Sequence, residues 1–161
     1  MQVIKQHGLL VPGLKEELFQ HLQGWDYLLS QGSDSNNFLT LGINTDGKIA
    51  MTGKTGGTNV MDIDTGTGYK FRDVGAWYHV VLAVDTTQTT NTDRVKLYVN
   101  GNLESWMGST SYPAEDLVTW VNSTAQINVG YNVPGTSGYW TGNMAHTHLI
   151  DGTQYAASDL G

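Results

Sequence analysis

Apolar and polar residues alternate with a period of two along most of the chain after Trp25, which is the spacing of a β-strand with one buried face. The clearest case is WYHVVLAVDTTQTTNTDRVKLYVNG, residues 77–101, where the apolar positions of Val95–Val99 alternate with a lysine and a tyrosine. Asn100-Gly101 at its end predicts a tight type I′ hairpin, because that turn needs positive φ at both central residues. The pattern predicts antiparallel strands with one face toward solvent.

Other runs with the same period predict the remaining strands. Residues 39–43 and 49–51 flank the turn sequence Asn-Thr-Asp-Gly, so they predict a second hairpin. Residues 103–106 are expected to pair back onto 94–99. Further strands are expected at residues 60–64, 126–131 and 139–150. Many short strands separated by turns that contain Gly and Pro indicate an all-β sandwich or barrel.

The first 24 residues follow a different period. Leu14, Leu18 and Leu22 recur every four residues directly after a Pro-Gly pair, which predicts a short helix. We therefore divide the chain into an N-terminal segment, residues 1–24, that serves as a linker or docks on a partner, and a domain over residues 25–161. Before the helix only MQVIK suggests a strand, so completion of the sandwich by a neighbouring chain is one expectation.

Composition narrows the classes of partner. The formal net charge is −7 and the pI is 4.9, which argues against nucleic acid, because nucleic-acid affinity depends on clustered Lys and Arg. The chain contains no cysteine, so a disulfide framework and a thiol nucleophile are excluded. No apolar run approaches the about 18 residues of a membrane span, and we expect none.

Several motifs, taken in order, resemble a known family. They are WYHVVLAVDTTQ with DRVKLYVNG, then YWTGNMAHTHLIDG, and SDLG at the end. Together they resemble the concanavalin A-like, laminin G-like jelly-roll domains of bacteriophage virion proteins, over residues 25–161. In the third motif His146 and Thr147 replace a glutamate and a β-branched apolar residue that are usual in that family.

The resemblance implies a fold, a function and a location. The implied fold is an antiparallel jelly-roll β-sandwich. The implied function is a non-enzymatic structural or receptor-binding module of a virion, in capsid or tail decoration or in a fibre. Its implied partners are copies of the same chain, with trimers favoured, other virion proteins and host-surface glycans.

Two other functions are open on the same fold. A polysaccharide-degrading enzyme would need two carboxylates that flank the glycosidic bond, which relatives place in a Glu-x-Asp-x-x-Glu strand. The nearest sequence, Asp62-Ile63-Asp64, lacks both glutamates, so we expect no catalytic residue. The second alternative is a calcium-dependent adhesion domain.

Aromatic residues beside Gly-, Ser- and Asn-rich loops are the candidates for glycan binding. Sugar rings stack on aromatic faces, while Asn and Asp side chains bind sugar hydroxyls. At least half of these aromatics are expected to pack in the core or against another subunit instead, since large aromatics dominate both. The candidates are Trp106, Tyr112, Trp120, Tyr139 and Trp140.

Metal binding has weaker candidates. Asp34 and Asp85 lie at junctions of strand and loop, where carboxylates provide the hard oxygen ligands that calcium prefers. Capping of a turn is the commoner role for such aspartates. His146 and His148 lie two apart and would project to one side of a strand, but no third zinc ligand stands at an informative spacing. We therefore expect no cofactor, with calcium as the alternative.

Overall fold

The computed structural model describes residues 2–10, 24–66, 76–105, 110–120, 123–132, 138–152, 155 and 158. Within these ranges the chain forms mainly β-strands, with a short 3₁₀ turn at Asn91–Asp93. The strands are β1 (Gln2–Leu10), β2 (Asp26–Asp34), β3 (Asn37–Ile43), β4 (Ile49–Thr55), β5 (Thr58–Asp64), β6 (Trp77–Val84), β7 (Val95–Val99), β8 (Asn102–Glu104), β9 (Thr110–Ser111), β10 (Ile127–Val129) and β11 (Asn143–Asp151).

The strands form two sheets. One has five strands in the order β11-β1-β6-β7-β8, and the other has six in the order β10-β2-β3-β4-β5-β9. Each neighbouring pair is antiparallel. One apolar core contains side chains from both sheets, among them Leu29, Leu41, Met51, Ile63, Leu82 and Leu97. The predicted all-β sandwich of antiparallel sheets is confirmed.

The alternation read from the sequence accounts for which side chains enter this core. Leu39 and Leu41 face inward on β3 and pair with Gly53 and Met51 of β4, while Thr40 between them lies on the outer face. Burial of such apolar area contributes about 25 cal/mol per Å² and supplies most of the driving force for folding. Within the described ranges, no helix is long and apolar enough to cross a membrane.

The hairpin that joins β7 to β8 has the predicted turn. Asn100 and Gly101 adopt φ values of 50° and 82°, as a type I′ turn requires. Asn100 also connects this turn to β6, because its amide N–H donates to the carbonyl of His79 (2.8 Å) and its Oδ1 accepts from the His79 N–H (2.9 Å). The turn therefore sets the register of three adjacent strands.

The N-terminal residues depart from the expected arrangement. Gln2–Leu10 forms β1, which pairs with β6 on one side and with β11 on the other. The strand that the sequence did not reveal is therefore supplied by the same chain, and this sheet needs no neighbouring chain to fill that place. The predicted helix around residues 14–22 lies outside the described residues.

Some strand boundaries and faces also differ from the prediction. The strand expected at residues 139–150 begins at Asn143, and β8 ends at Glu104. On β6 both faces are buried, since Val81 and Ala83 are as inaccessible as the core residues and pack with Tyr98 and Ile150. A period of two cannot reveal a strand that is covered on both sides.

Candidate functional site

Asp34 lies at the end of β2 and caps the turn into β3. Its Oδ1 accepts hydrogen bonds from the Asn36 amide N–H (2.8 Å) and from Asn37 Nδ2 (3.1 Å), and its Oδ2 accepts from Ser33 Oγ (2.9 Å). These bonds, led by that from the Asn36 backbone, lower the pKa of Asp34. Both oxygens are occupied as in an Asx turn.

Asp85 is buried directly after β6 and closes the loop that follows. Its Oδ1 accepts from Thr87 N–H (3.1 Å) and Oγ1 (2.7 Å), and its Oδ2 accepts from Gln88 Nε2 (2.7 Å). Burial acts to raise the pKa of Asp85, but the hydrogen bonds from Gln88 and Thr87 outweigh it, so the pKa is lowered. Both calcium candidates therefore have turn-capping geometry.

The described residues contain no group of three or more His, Cys, Asp or Glu side chains placed to hold a metal. His146 has a φ of 52° and is the extra residue of a β-bulge, since Gln6 pairs with Thr147 while His7 pairs with Ala145. The bulge breaks the regular alternation between His146 and His148.

The carboxylates considered for catalysis lie on the outer face of the six-stranded sheet. Asp62 pairs with Thr52 and Asp64 with Ala50, so both occupy outward positions of β5. Asp64 accepts a hydrogen bond from the Gly66 N–H and forms an ion pair with Lys48 (3.6 Å). Asp64 thereby connects the end of β5 to Lys48 in the turn between β3 and β4.

The five candidate aromatics occupy different environments. Tyr112, Trp120 and Trp140 are partly buried and pack against the core. Tyr139 is 63% exposed, and Trp106 lies outside the described residues. Of the four that are described, Tyr139 is the exposed residue, whereas the other three are half-buried.

Two aromatic pairs meet at one edge of the sandwich. Trp25 and Tyr27 stack with centroids 5.8 Å apart and planes at 22°, and Tyr131 and Tyr139 pack with centroids 4.8 Å apart and planes at 31°. Gly138 joins the pairs, since a Cβ on it would stand 2.5 Å from two ring carbons of Tyr27. We call Trp25, Tyr27, Tyr131 and Tyr139 the aromatic edge patch.

Local sequence explains how the chain reaches this position. Gly138 has a φ of 86° and Gly130 a φ of 73°, conformations in which a side chain is strained. Two hydrogen bonds fix the backbone near these glycines. The Trp140 N–H donates to the Gly130 carbonyl (2.9 Å), and Ser30 Oγ donates to the Tyr131 carbonyl (2.7 Å). Two glycines and these bonds hold Tyr131 and Tyr139 against β2.

Polar groups border the patch. Asp26 lies between its two β2 aromatics and accepts a hydrogen bond from Thr141 Oγ1 (3.4 Å). Burial raises the pKa of Asp26, and the bond from Thr141 offsets this only in part. On the outer face of the same sheet, polar side chains form a row across the strands, Asn128, Ser30, Thr40, Thr52, Asp62 and Ser111, in which Ser30 and Thr40 are buried. Aromatic faces beside hydroxyl, amide and carboxylate groups suit a hydroxylated ligand.

Three members of the patch were missed in the sequence analysis. Trp25 and Tyr27 are two residues apart at the start of β2, a spacing that places two rings on one side of the chain. Tyr131 follows β10, and its ring packs against that of Tyr139. The first pair carried a local signal, whereas the second depends on tertiary structure.

Comparisons with known proteins agree with this architecture. The sequence model of the family described as concanavalin A-like lectin/glucanases superfamily matches residues 19–157. No curated protein matched the sequence significantly. A native heptameric SAP-like pentraxin from Limulus polyphemus is similar in structure, with a TM-score of 0.55 and 15% identity over 98% of this chain and 67% of that one. The CBM40 of the Ruminococcus gnavus IT-sialidase has a TM-score of 0.50 and 15% identity over 91% and 70% of the two chains. At this identity the likeness concerns the fold alone.

Proposed function

Because the chain belongs to the concanavalin A-like lectin/glucanases superfamily, we propose that it is a non-catalytic carbohydrate-binding domain whose ligand surface is the aromatic edge patch. The observation that carries the proposal is the junction of two aromatic pairs beside polar side chains at one sandwich edge. The pentraxin and the CBM40 support a binding role on this fold.

The patch offers the two kinds of contact that a sugar needs. Tyr139 is 63% exposed, so the apolar face of a pyranose can stack on the part of its ring that Tyr131 leaves open and remove apolar surface from water. Asp26, which lies between Trp25 and Tyr27 in the chain, keeps acceptor capacity beyond its bond to Thr141. Ring stacking supplies affinity, and the polar groups select the hydroxyl pattern.

The absence of catalysis is part of the proposal. A glycosidase needs one carboxylic acid to protonate the leaving oxygen and one carboxylate on the opposite side of the sugar. Asp64 is engaged by Lys48 and by a backbone N–H, which supports a structural role for it. Release of reducing sugar from a bound polysaccharide, abolished by Asp62→Asn, would contradict the proposal.

Binding is tested with Tyr139 variants against a panel of neutral and acidic oligosaccharides, by titration calorimetry on the strongest hit. We expect Tyr139→Ala to weaken binding by about tenfold or more, as for a buried aromatic at a binding hot spot. Tyr139→Phe keeps the ring and should bind within a few-fold of the parent, because stacking does not need the hydroxyl.

A second exposed aromatic provides the matched control. Trp77 is 49% exposed on β6 of the other sheet, and Trp77→Ala should leave the affinity unchanged. Equal losses in the Tyr139→Ala and Trp77→Ala proteins, or no loss in either, would remove the patch as the binding surface.

The setting of the domain is a narrower proposal. The motif resemblance supports a virion module that binds host-surface glycans as a homo-oligomer, with a trimer favoured. Light scattering coupled to size exclusion should then give a trimer that binds cell-surface polysaccharide. A monomer that binds sugar through the patch but binds no virion protein would contradict this setting and leave the sugar-binding proposal standing.

A further inference from the structure

The opposite edge of the sandwich contains a cavity that the aromatic edge patch does not use. Its volume is about 360 Å³, and it is lined by the 3₁₀ turn, β7, β8 and Tyr112, which follows β9. Because β8 and β9 are the terminal strands of their sheets, while β10 and β11 terminate the sheets at the patch, the cavity and the patch lie at different edges.

Glu104 gives this cavity its chemical character. It pairs with Leu97 across β7 and β8, and since paired residues share a face, it stands on the core-facing side of an edge strand. None of the described residues forms an ion pair or a side-chain hydrogen bond with its carboxylate. Partial burial raises the pKa of Glu104, as expected for a carboxylate that is desolvated and uncompensated.

The other charged groups of the cavity leave Glu104 without a counter-ion. Lys96 points its ammonium to Asp93, with Nζ 3.2 Å from Oδ1, so these two charges offset each other. Tyr112 and Val95, which lies on the same face of β7 as Leu97, add an aromatic and an aliphatic wall. A carboxylate beside an aromatic ring and an apolar wall is the environment that accepts an organic cation.

We propose that the cavity between β7, β8 and Tyr112 is a second ligand site that binds an organic ammonium group, with Glu104 as its counter-ion. The ammonium donates to the Glu104 carboxylate, and its aliphatic stem lies against Val95 and the ring of Tyr112. A lysine side chain of a partner protein and a free alkylamine share this chemistry.

The test uses butylammonium as the probe, with butanol and butyrate as probes of the same length. Chemical shifts of the Glu104 side-chain carboxyl carbon and of the Tyr112 ring are followed by NMR. Butylammonium should bind in the millimolar range with saturable shifts at both residues, and it should bind at least tenfold more tightly than either other probe. Equal shifts with butanol would overturn the proposal, because they would show an apolar cavity without charge recognition.

Two substitutions complete the test. Glu104→Gln keeps the shape and should weaken butylammonium binding about tenfold, whereas Asp46→Asn, which removes an exposed carboxylate from the β3–β4 turn, should not. An inward charge on an edge strand can also serve to block edge-to-edge association. If the parent protein does not bind butylammonium and the Glu104→Gln protein dimerises in light scattering, then Glu104 serves to prevent edge-to-edge association, and the proposed ligand site is refuted.

Discussion

In the β6–β7 hairpin each residue of Val80–Val84 pairs in register with Val95–Val99, and the inward side chains lie fully buried between the two sheets. The aromatic edge patch is held by other means. Its segment from Gly130 to Thr141 is attached to β2 through single hydrogen bonds and through glycines that admit close approach. We therefore expect stability to depend mainly on the hairpin and the proposed sugar binding to depend on the patch, and substitutions should separate the two.

The largest effect is expected in the hairpin. Leu82 is fully buried in the core, and Leu82→Ala should lower the free energy of unfolding by about 2–5 kcal/mol, through lost burial and the cavity left behind. Urea denaturation followed by tryptophan fluorescence measures this change. At temperatures where the variant is folded, its affinity for the sugar should equal that of the parent, and a parallel loss of affinity would show that the hairpin and the patch are coupled.

Gly138→Ala changes the patch instead of the hairpin and should reduce the sugar affinity. The added methyl group would stand 2.5 Å from the Tyr27 ring, on a backbone with φ of 86°, so the ring or the segment must move. We expect about 1–3 kcal/mol of destabilisation from the unfavourable backbone and at least a tenfold loss of sugar affinity. Gly101→Ala, at a similar φ but with open space around its Cβ position, controls for the backbone cost and should keep full affinity.

The hairpin could be predicted from sequence and the patch could not, for a physical reason. The pairing of β6 with β7 joins two runs within one 25-residue stretch, 77–101, whose alternation is a local signal. The patch joins residues more than a hundred positions apart, as the Ser30–Tyr131 hydrogen bond shows. The sequence offered two local signals, namely Tyr139 as a candidate beside a Gly- and Ser-containing stretch and the two-residue spacing of Trp25 and Tyr27, but not the contact that brings them together.

Arg94 shows a limit of alternation even inside the hairpin region. Its position opposite the apolar face predicts an exposed side chain, yet it is buried. It donates hydrogen bonds to the carbonyls of Gln88, Thr89 and Pro113, at 2.7, 2.9 and 2.9 Å. A guanidinium supplies five donors, so a loop with several free carbonyls can bury it at the end of a strand.

Two aspartates, Asp85 beside the hairpin and Asp26 beside the patch, should change the stability of the protein with pH in opposite directions. Asp85, beside the hairpin, has a lowered pKa because its hydrogen bonds outweigh burial. Its stabilising contribution is present above the unfolded value of 3.8 and is lost as the pH falls through the folded pKa. Asp85→Asn should therefore destabilise the protein by about 1 kcal/mol near neutral pH and have no effect well below the folded pKa.

Thermal unfolding across an acidic pH series measures this difference. Because Asp85 caps a turn with both oxygens, a chelator should leave the melting temperature of the parent unchanged. A melting temperature that falls on chelation and recovers with calcium would instead make Asp85 or Asp34 a metal ligand, since a bound metal stabilises the native state by mass action.

The smallest change in stability is expected at Asp26, beside the patch, and its dependence on pH is opposite to that of Asp85. Burial raises its pKa above 3.8, so the folded protein holds the proton more tightly than the unfolded chain. The stability that this protonation provides is full below the unfolded value and is lost as the pH rises through the folded pKa. Asp26→Asn should therefore stabilise the protein slightly near neutral pH, by a few tenths of a kcal/mol. The same substitution should weaken sugar binding, because the carboxylate would no longer accept a hydrogen bond from a sugar hydroxyl. Thermal unfolding measures the stability and titration calorimetry measures the sugar affinity of the same variant. A variant that is less stable than the parent at neutral pH would mean that the hydrogen bond from Thr141, not burial, dominates the pKa of Asp26.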